Sequence, residues 1–365
     1  MTLVLDNVSK TAGAETQIYP TSLTLEKGTM NVLLGPTSSG KTSLMRLMAG
    51  LDRPTGGRVL WNGADVTGIA VRNRDVAMVY QQFINYPGMT AYENIASPLR
   101  LKGVPRDELD RKVRAAAELM KLNERQLGRK PLELSGGQQQ RCALARALVK
   151  KAGLVLLDEP LANLDYKLRE ELRAEIPKIF EESGAIFVYA TTEPHEALLL
   201  GGNTACLREG RITQFGRTLD VYRHPVDATT ARVFSDPPMN FLRITKAGSE
   251  LDFGEKQNIP ASGSLADLPD GRYLAGFRPN HLHVKRTEVS GDVLTLHAAI
   301  TGTEITGSES FVHLDHVGQR WVALVHGVYD AAGGDVAEIY ADARHVYVFD
   351  ENERLVEAGR FGRAA

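Results

Sequence analysis

The residues best suited to chemistry lie in one short segment near the start of the chain. Residues 35–42 read Gly-Pro-Thr-Ser-Ser-Gly-Lys-Thr, which fits the pattern G-x-x-x-x-G-K-[ST]. The segment follows an apolar run, Met30–Leu34, and leads into a run with helical periodicity, Ser43–Ala49. In that context backbone N–H groups and the start of a helix attract phosphate. The sequence therefore predicts a phosphate-binding loop, in which Lys41 reaches the outer phosphates and Thr42 binds Mg²⁺.

A second candidate group is a pair of adjacent carboxylates at the end of another apolar run. Leu154–Leu157 has the length of a buried strand and is followed by Asp158 and Glu159. Carboxylates at the carboxyl end of a parallel strand lie at the sheet edge where such sheets bind ligands. Asp158 is predicted as a Mg²⁺ ligand, because that hard cation prefers oxygen. Glu159 is predicted to act on the attacking water, as a base or a positioning group.

The elements that must position these residues change character part-way along the chain. At first, apolar strands alternate with helical segments such as Leu168–Glu182, in which Pro177 predicts a kink or break. After a Pro-Pro pair the chain becomes β-rich. The predicted strands there are Tyr273–Phe277, His281–Lys285, Val293–Ile300, Phe311–Leu314, Trp321–Val325 and His345–Phe349. The sequence thus predicts an α/β domain over residues 1–235 and a small antiparallel β domain, in the form of a barrel, over residues 236–365.

The composition excludes several classes of protein. The chain of 365 residues has 43 Lys and Arg against 45 Asp and Glu, a net charge of -2, whereas dedicated nucleic-acid binders usually carry a basic excess. Its two cysteines, Cys142 and Cys206, exclude a disulfide scaffold and a Cys-based zinc site, and they favour a reducing cytosol. The apolar runs are shorter than the ~20 residues of a membrane span, and the first residues do not read as a secretory signal.

The segment that narrows the function is Leu-Ser-Gly-Gly-Gln-Gln-Gln-Arg at residues 134–141, directly before a helical run. L-S-G-G-Q in this position resembles the signature of ATP-binding-cassette (ABC) ATPases. The order of phosphate loop, Gln81, signature, acidic pair and Asp165 resembles the same family. The resemblance covers nearly all of residues 1–235.

Other segments resemble one branch of that family, the ATPases of carbohydrate and polyol importers, such as those for maltose and glycerol phosphate. These segments are Tyr86–Ile95, Pro237–Leu242 and, in the tail, Gly276–Pro279. ATPases of this branch carry a C-terminal OB-like regulatory domain, which agrees with the β-rich tail. The expected fold class is therefore an α/β P-loop NTPase domain of ABC type followed by an all-β OB-like C-terminal domain.

The resemblance implies a role for each motif. Two such domains would enclose two ATP molecules with Mg²⁺, each ATP lying on one chain's phosphate loop and facing the signature of the other chain. Glu159 would be the catalytic residue, and Asp165 would belong to the D-loop. Thr42, Gln81 and Asp158 would serve Mg²⁺. The residues implied in nucleotide binding are Gly35, Pro36, Thr37, Ser38, Ser39, Gly40, Lys41, Thr42, Ser43 and Gln81. Those facing the partner's nucleotide are Ser135, Gly136, Gly137 and Gln138.

The resemblance also implies partners and a location. Two integral membrane permease subunits would dock on the surface around Tyr86–Leu99, and a solute-binding protein would act indirectly; no nucleic acid is expected. The chain would lie peripherally on the cytoplasmic face of the inner membrane and energise import. Sugars, polyols, glycerol and glycerol phosphates all stay open as solutes, because the ATPase does not touch the solute.

Three positions depart from the family pattern. The family's adenine-stacking aromatic falls on Ala12, which removes a stack worth ~1–3 kcal/mol in nucleic-acid systems, with Tyr19 as the alternative platform. Ser38 stands where the family has glycine, at a cost of ~1 kcal/mol or more if its φ is positive. Thr192 replaces a histidine that contacts the γ-phosphate, and it reads as a helix N-cap. His195 is expected either as an ordinary surface side chain or as a partial replacement.

All three departures affect the nucleotide on this chain's own phosphate loop, whereas the signature, which serves the other chain's nucleotide, is intact. The sequence therefore favours a heterodimer with a second, non-identical ATPase subunit over a homodimer, with reduced activity at this chain's own site. A nucleotide-gated regulatory subunit with little turnover is the alternative; Ala12 and Thr192 support it and the retained Glu159 opposes it. A soluble ABC ATPase of translation or DNA repair is disfavoured, since neither a second cassette nor a coiled-coil insertion is visible.

Overall fold

The computed structural model describes residues 1–82, 84–162, 164–254, 258–261, 266–289 and 293–359. Contacts divide the chain into two compact units, Met1–Thr218 (unit 1) and Leu219–Ala365 (unit 2). The predicted division into functional domains at residue 235 stays a prediction. In the described part of the chain, no helix is both long enough and apolar enough to cross a membrane.

Unit 1 is built from two sheets and the helices around them. Its strands are β1 (Thr2–Ala12), β2 (Glu15–Glu26), β3 (Met30–Leu34), β4 (Gly56–Trp61), β5 (Ala64–Asp65), β6 (Val76–Val79), β7 (Leu154–Asp158), β8 (Ile186–Thr191), β9 (Asn203–Arg208) and β10 (Arg211–Arg217). Its helices are α1 (Lys41–Ala49), α2 (Ala91–Leu101), α3 (Arg106–Leu119), α4 (Glu124–Leu127), α5 (Gly136–Val149), α6 (Tyr166–Ser183) and α7 (Pro194–Leu200). One sheet has the order β2-β1-β4-β5 and is antiparallel.

The second sheet, with the order β10-β9-β3-β8-β7-β6, positions the candidate site. Its strands are parallel from β6 to β9, and β10 is antiparallel. Every residue of β3, β7 and β8 is buried, which explains why these segments are continuous apolar runs rather than alternating ones. Because the three strands are parallel, their carboxyl ends meet at one edge of the sheet. Gly35, Glu159 and Thr192 each follow one of these ends.

Helix α1 packs its apolar side into the core of unit 1. Leu44 and Met48 are each 1% exposed and belong to the same buried cluster as residues of β3, β7 and β8. The helix ends at Gly50, whose φ of 75° suits glycine, and whose N–H reaches the carbonyls of Arg46 and Leu47. Gly50 is therefore the C-cap of α1.

Helix α6 continues through Pro177, so the chain does not break there as expected. An interior proline costs about 3 kcal/mol, because it removes one hydrogen bond and crowds the preceding turn. Leu172 and Ile176, on the same helix, are buried, and each such side chain contributes roughly 1.5–3 kcal/mol of apolar burial. Packing therefore offsets the local cost, and the kink alone stays a prediction.

Unit 2 is β-rich and begins with two short helices, α8 (Thr218–Arg223), whose first residue is the last of unit 1, and α9 (Ala228–Val233). Its strands are β11 (Asn240–Ala247), β12 (Glu250–Asp252), β13 (Asn258–Pro260), β14 (Gly271–Phe277), β15 (Leu282–His283), β16 (Val293–Ile305), β17 (Glu309–His316), β18 (Gln319–His326), β19 (Val336–Asp342), β20 (Tyr347–Phe349) and β21 (Leu355–Glu357). They form two sheets, β13-β12-β11-β14-β20-β21 and β15-β19-β16-β17-β18, with antiparallel pairing. The expected all-β C-terminal region is confirmed.

The predicted strand His281–Lys285 is wrong in its extent. His281 lies in a 3-10 turn, Pro279–His281, and only Leu282–His283 pairs with β19. Pro279 explains the difference, since its fixed φ favours the first residue of a turn. Strands β17 and β18 alternate buried residues with more accessible ones, so one face of each enters a core that contains Trp321.

Candidate nucleotide-binding site

The site begins at the loop between β3 and α1. The Gly35 N–H donates to the Thr191 carbonyl over 3.3 Å, which fixes the start of the loop against β8. Gly40, the N-cap of α1, has a φ of 104° and no side-chain cap, so no capping side chain competes for the N–H groups at the helix start. The positive φ favours glycine at this position, and a Cβ there would also lie 3.3 Å from the Gln17 carbonyl oxygen. The predicted strand–loop–helix context is present.

Lys41 is a buried cation at this loop. It is 4% exposed, and its Nζ donates to the carbonyls of Gly35 at 2.7 Å and Pro36 at 3.0 Å. Oε1 of Glu159 lies 3.5 Å from the same nitrogen. Burial lowers the pKa of Lys41, and the Glu159 carboxylate opposes that shift. The ammonium is thus held by the loop carbonyls and one carboxylate, where it can contact an anionic phosphate.

Thr42 and Asp158 meet across the sheet edge. Oγ1 of Thr42 donates to Oδ2 of Asp158 over 2.8 Å. Burial raises the pKa of Asp158, which is 3% exposed, while the Thr42 hydroxyl and the Lys41 ammonium favour the charged carboxylate. A hydroxyl and a carboxylate at one point are oxygen donors of the kind Mg²⁺ prefers, so the residues present fit that ion.

Glu159 is held in an unusual backbone conformation. Its φ is 45°, a region that non-glycine residues rarely adopt, and its N–H donates to the Ala190 carbonyl over 3.0 Å. Oε2 of Glu159 accepts a hydrogen bond of 2.9 Å from Nε2 of Gln81. Such strain persists where surrounding contacts fix the residue, and it is common at functional sites. Gln81 uses its amide nitrogen here, so its amide oxygen is the group that can serve Mg²⁺.

An open cavity of about 620 Å³ lies over these residues. Its size is within the range of small-molecule sites, roughly 300–1,000 Å³. Residues 37–43, Gln81 and Glu159 all line it. The Ser39 hydroxyl is buried in this lining and has no hydrogen-bond partner among the described residues. A buried hydroxyl in the cavity wall can donate a hydrogen bond to a ligand that is rich in acceptors, such as a polyphosphate.

Sequence reasoning missed one wall of the cavity except for Tyr19, which it had named as a possible base platform. That wall consists of Glu15, Thr16, Gln17 and Tyr19 of β2 with Glu209 and Gly210 of the β9–β10 turn. The Gly210 N–H donates to the Ser39 carbonyl, and the Gly210 carbonyl accepts from the Tyr19 N–H, each over 2.9 Å. A Cβ on Gly210 would lie 2.4 Å from the Gln17 carbonyl oxygen. The one local signal was the Glu209-Gly210 turn pair, which says nothing about what the turn touches.

The signature segment lies elsewhere in unit 1. Ser135 caps α5, since its Oγ accepts from the Gln138 N–H at 3.4 Å, and the Gln138 side chain accepts from the Ser135 N–H at 3.2 Å. The helix therefore begins at Gly136. Ser135, Gly136 and Asp165 are exposed, and none of them lines the cavity of this chain. Their service to a partner's nucleotide stays a prediction.

The chain is similar to known proteins. Residues 18–162 match the ABC transporter family. The chain is 37% identical over 362 residues to the trehalose/maltose import ATP-binding protein MalK of Thermococcus litoralis, covering 95% of this chain and 97% of that protein. It is 33% identical over 350 residues to the sn-glycerol-3-phosphate import ATP-binding protein UgpC 3 of Agrobacterium fabrum, covering 95% and 98%. This chain belongs to the ABC transporter ATP-binding family.

A solved structure agrees with that assignment. The dimeric ATP-binding cassette MJ0796, bound to ADP and Pi, superposes with a TM-score of 0.55 at 29% identity, covering 59% of this chain and 98% of that one. The predicted resemblance and the predicted fold class are confirmed, and the chain is an ATPase that uses ATP and Mg²⁺. The individual roles predicted for the site residues stay predictions.

The ABC ATPase's departures at Ala12 and Thr192 are visible in its structure. Ala12 is exposed at the end of β1, while Tyr19 lines the cavity and carries the Arg211 guanidinium 3.4 Å from its ring centre. Thr192 is not the N-cap of α7; that position is Glu193, because Pro194 occupies the first helical turn. His195 is exposed and does not line the cavity, which agrees with an ordinary surface histidine.

Ser38 has a positive φ, which raises the free energy of the folded chain. Its φ is 64°, a left-handed conformation that costs an L-residue about 1–2 kcal/mol. We expect Ser38→Gly to raise the free energy of unfolding of the chain by roughly 0.5–1 kcal/mol, because glycine removes this strain but adds entropy to the unfolded state. Thermal unfolding of the nucleotide-free chain measures the change. Thr37→Gly is the control, since the φ of Thr37 is not positive and glycine there should destabilise. Equal effects of the two variants would contradict the argument.

Proposed function

We propose that this ABC ATPase hydrolyses ATP on the cytoplasmic face of a membrane to energise import of a sugar, polyol, glycerol or glycerol phosphate. Residues 1–235 would be the ATP-binding domain and residues 236–365 an OB-like regulatory domain. The observation that carries the proposal is that Lys41 and Glu159 line one cavity, with Asp158 hydrogen-bonded to Thr42 of the same lining. The solute class follows the relatives, whose names assign import of trehalose and maltose or of sn-glycerol-3-phosphate.

The proposed chemistry is attack of water on the γ-phosphorus of ATP. The bond from that phosphorus to the β,γ-bridging oxygen breaks, and ADP and inorganic phosphate leave. Glu159 would accept the proton of the water, with Gln81 orienting its carboxylate over 2.9 Å. Lys41 would balance charge on the outer phosphates. Mg²⁺ at Thr42 and Asp158 would supply further charge neutralisation when bound.

Two permease subunits are proposed to dock on the surface before and along α2. Ile84, Tyr86 and Met89 are 56%, 50% and 37% exposed, so this loop presents apolar side chains to a partner. The fully buried Asn94 holds the backbone of this loop, because it accepts from the Tyr86 N–H and donates to the carbonyls of Tyr86, Met89 and Thr90. Closure on ATP could then act on the permease.

We also propose that the second ATPase subunit is not a copy of this chain. Ala12 cannot stack on a base, Ser38 strains the phosphate loop, and Thr192 replaces a histidine, so the site on this chain's own loop is weakened. The signature cap at Ser135 is well formed and exposed, so this chain can complete a partner's site. Retained Glu159 favours residual turnover over the purely regulatory alternative.

The test compares assemblies reconstituted in liposomes with the two permease subunits. We expect the isolated chain to hydrolyse ATP slowly and the mixed assembly with a second ATPase to hydrolyse it fast and to import solute. In the mixed assembly, Ser135→Arg in this chain should cost more turnover than Glu159→Gln, because the complete site uses this chain's signature. Full turnover by the isolated chain, or equal losses for the two variants, would contradict the mixed pairing. Absence of ATP-dependent uptake in every assembly would contradict the transport function.

A further inference from the structure

A cluster of charged side chains lies buried at the end of β8, outside the lining of the cavity. Glu196 of α7 and Arg173 of α6 have side chains that are 6% and 9% exposed, and Nη2 of Arg173 lies 3.3 Å from Oε1 of Glu196. The other carboxylate oxygen, Oε2, accepts from Oγ1 of Thr191 at 2.6 Å and from the Tyr189 hydroxyl at 3.1 Å. Both oxygens of this buried carboxylate are therefore satisfied.

A buried pair of this kind contributes little net stability, because taking two charges out of water costs about as much as their attraction returns. Its effect is geometric. Arg173 also lies 3.6 Å from Oε2 of Glu193, and Arg169 lies 3.5 Å from Oε1 of the same residue. The two arginines stand on α6, whereas Glu193 and Glu196 belong to the start of α7. The cluster thus ties the two helices together at the end of β8.

Thr191 is the point at which this cluster meets the phosphate loop. Its hydroxyl donates to Glu196 and accepts from the Glu193 N–H at 3.0 Å. Its carbonyl accepts from the N–H of Gly35, the first residue of the phosphate loop, at 3.3 Å. The Glu196 carboxylate therefore holds Thr191 directly, and it holds Glu193 through the Thr191 hydroxyl. These are the two residues on either side of Thr192.

We propose that Arg173 and Glu196 are positioning residues for ATP hydrolysis at this chain's own site. They hold the backbone of Thr191–Glu193 against Gly35, and so set where Thr192 and the start of the phosphate loop stand during phosphoryl transfer. The proposal rests on the proposed ATPase function. A small displacement of such a backbone can slow catalysis by about 100-fold while leaving substrate binding intact.

The test uses the isolated full-length chain, four single variants and one double variant. Glu196→Gln keeps the shape of the side chain and removes its charge, and Arg173→Met removes the cation. Thr191→Val removes the linking hydroxyl, whereas Thr191→Ser retains it. We expect the first three variants to lower kcat about 10- to 100-fold with KM for ATP changed less than about twofold, and Thr191→Ser to keep wild-type kcat. The double variant Arg173→Met with Glu196→Gln should lose no more than the worse single variant.

Hydrogen exchange supplies a readout that does not depend on turnover. Peptides that cover Gly35 and Glu193 should exchange faster in Glu196→Gln than in the wild type, while peptides from β6 should not change. Glu175→Gln is the matched control, since Glu175 pairs with Lys178 on the exposed side of α6, and it should alter neither kcat nor exchange.

The outcomes distinguish the positioning role of Arg173 and Glu196 from the proposed ATPase function. If the wild type hydrolyses ATP but Glu196→Gln leaves kcat and exchange at Gly35 unchanged, the positioning proposal is wrong. It is also wrong if kcat falls only in proportion to loss of folded protein, or if Thr191→Ser loses as much as Thr191→Val. If the wild type shows no turnover, the proposed ATPase site fails, and the exchange measurement alone decides whether the cluster fixes the loop.

Discussion

Replacing Glu159 by Gln is expected to lower ATP turnover by the isolated chain about 100-fold or more while ATP still binds. The variant keeps the size of the side chain and its contact with Gln81, but it removes the group that accepts the proton of the attacking water. The backbone at this residue, with a φ of 45°, is held by the Ala190 carbonyl, so the substitution should leave the main chain in place. Phosphate release and nucleotide binding, measured on the same sample, separate the two effects.

Glu209→Gln is the matched control for this experiment. Glu209 also lines the cavity, but it stands on the β9–β10 turn and has no contact with Lys41 or Gln81 among the described interactions. We expect a change in turnover smaller than about threefold for a surface substitution of this kind. Loss of ATP binding in Glu159→Gln, or an equal loss of turnover in Glu209→Gln, would remove Glu159 from the proposed catalytic role. Wild-type turnover that is already at background would favour the regulatory alternative.

Replacing Lys41 by Met is expected to weaken ATP binding at this chain's own loop by about 10- to 100-fold. The ammonium is the buried cation of the phosphate loop, and charge-assisted hydrogen bonds to phosphate contribute roughly 1.5–3 kcal/mol each. The nucleotide-free chain should lose little stability, because burial already lowers the pKa of Lys41 and so disfavours its charge. Calorimetric titration with ATP gives the affinity, and thermal unfolding without ATP gives the stability.

Stabilisation by the ligand provides the sharper comparison. Wild-type chain should unfold at a higher temperature in excess ATP and Mg²⁺, whereas Lys41→Met should show a much smaller rise, since the gain depends on the ratio of ligand concentration to Kd. Lys27→Met, at an exposed lysine, should keep the full rise. The result would be different if Lys41 only stabilised the fold. In that case Lys41→Met would unfold at a lower temperature than the wild type without ATP, and its unfolding temperature would rise as much as that of the wild type when ATP and Mg²⁺ are added.

Much of the site was accessible from the sequence, because its motifs are encoded by residues close together in the chain. The turn before α1 needs glycine at position 40, and the serine at position 135 and the glutamine at position 138 cap α5 within one turn. The buried strands β3 and β7 read as short apolar runs because a parallel sheet buries both faces. Such features depend on local hydrogen bonds and on periodicity, which a single sequence displays.

The tertiary structure alone decided how these pieces meet. The hydrogen bond between Thr42 and Asp158 joins residues 116 positions apart, and the one between Gln81 and Glu159 joins residues 78 apart. The buried pair of Arg173 and Glu196 had no local signal, and the Glu209-Gly210 turn pair did not indicate that Gly210 contacts Ser39 and Tyr19. Long-range contacts depend on strand order and register, and these follow from the packing of the whole unit rather than from any segment of it.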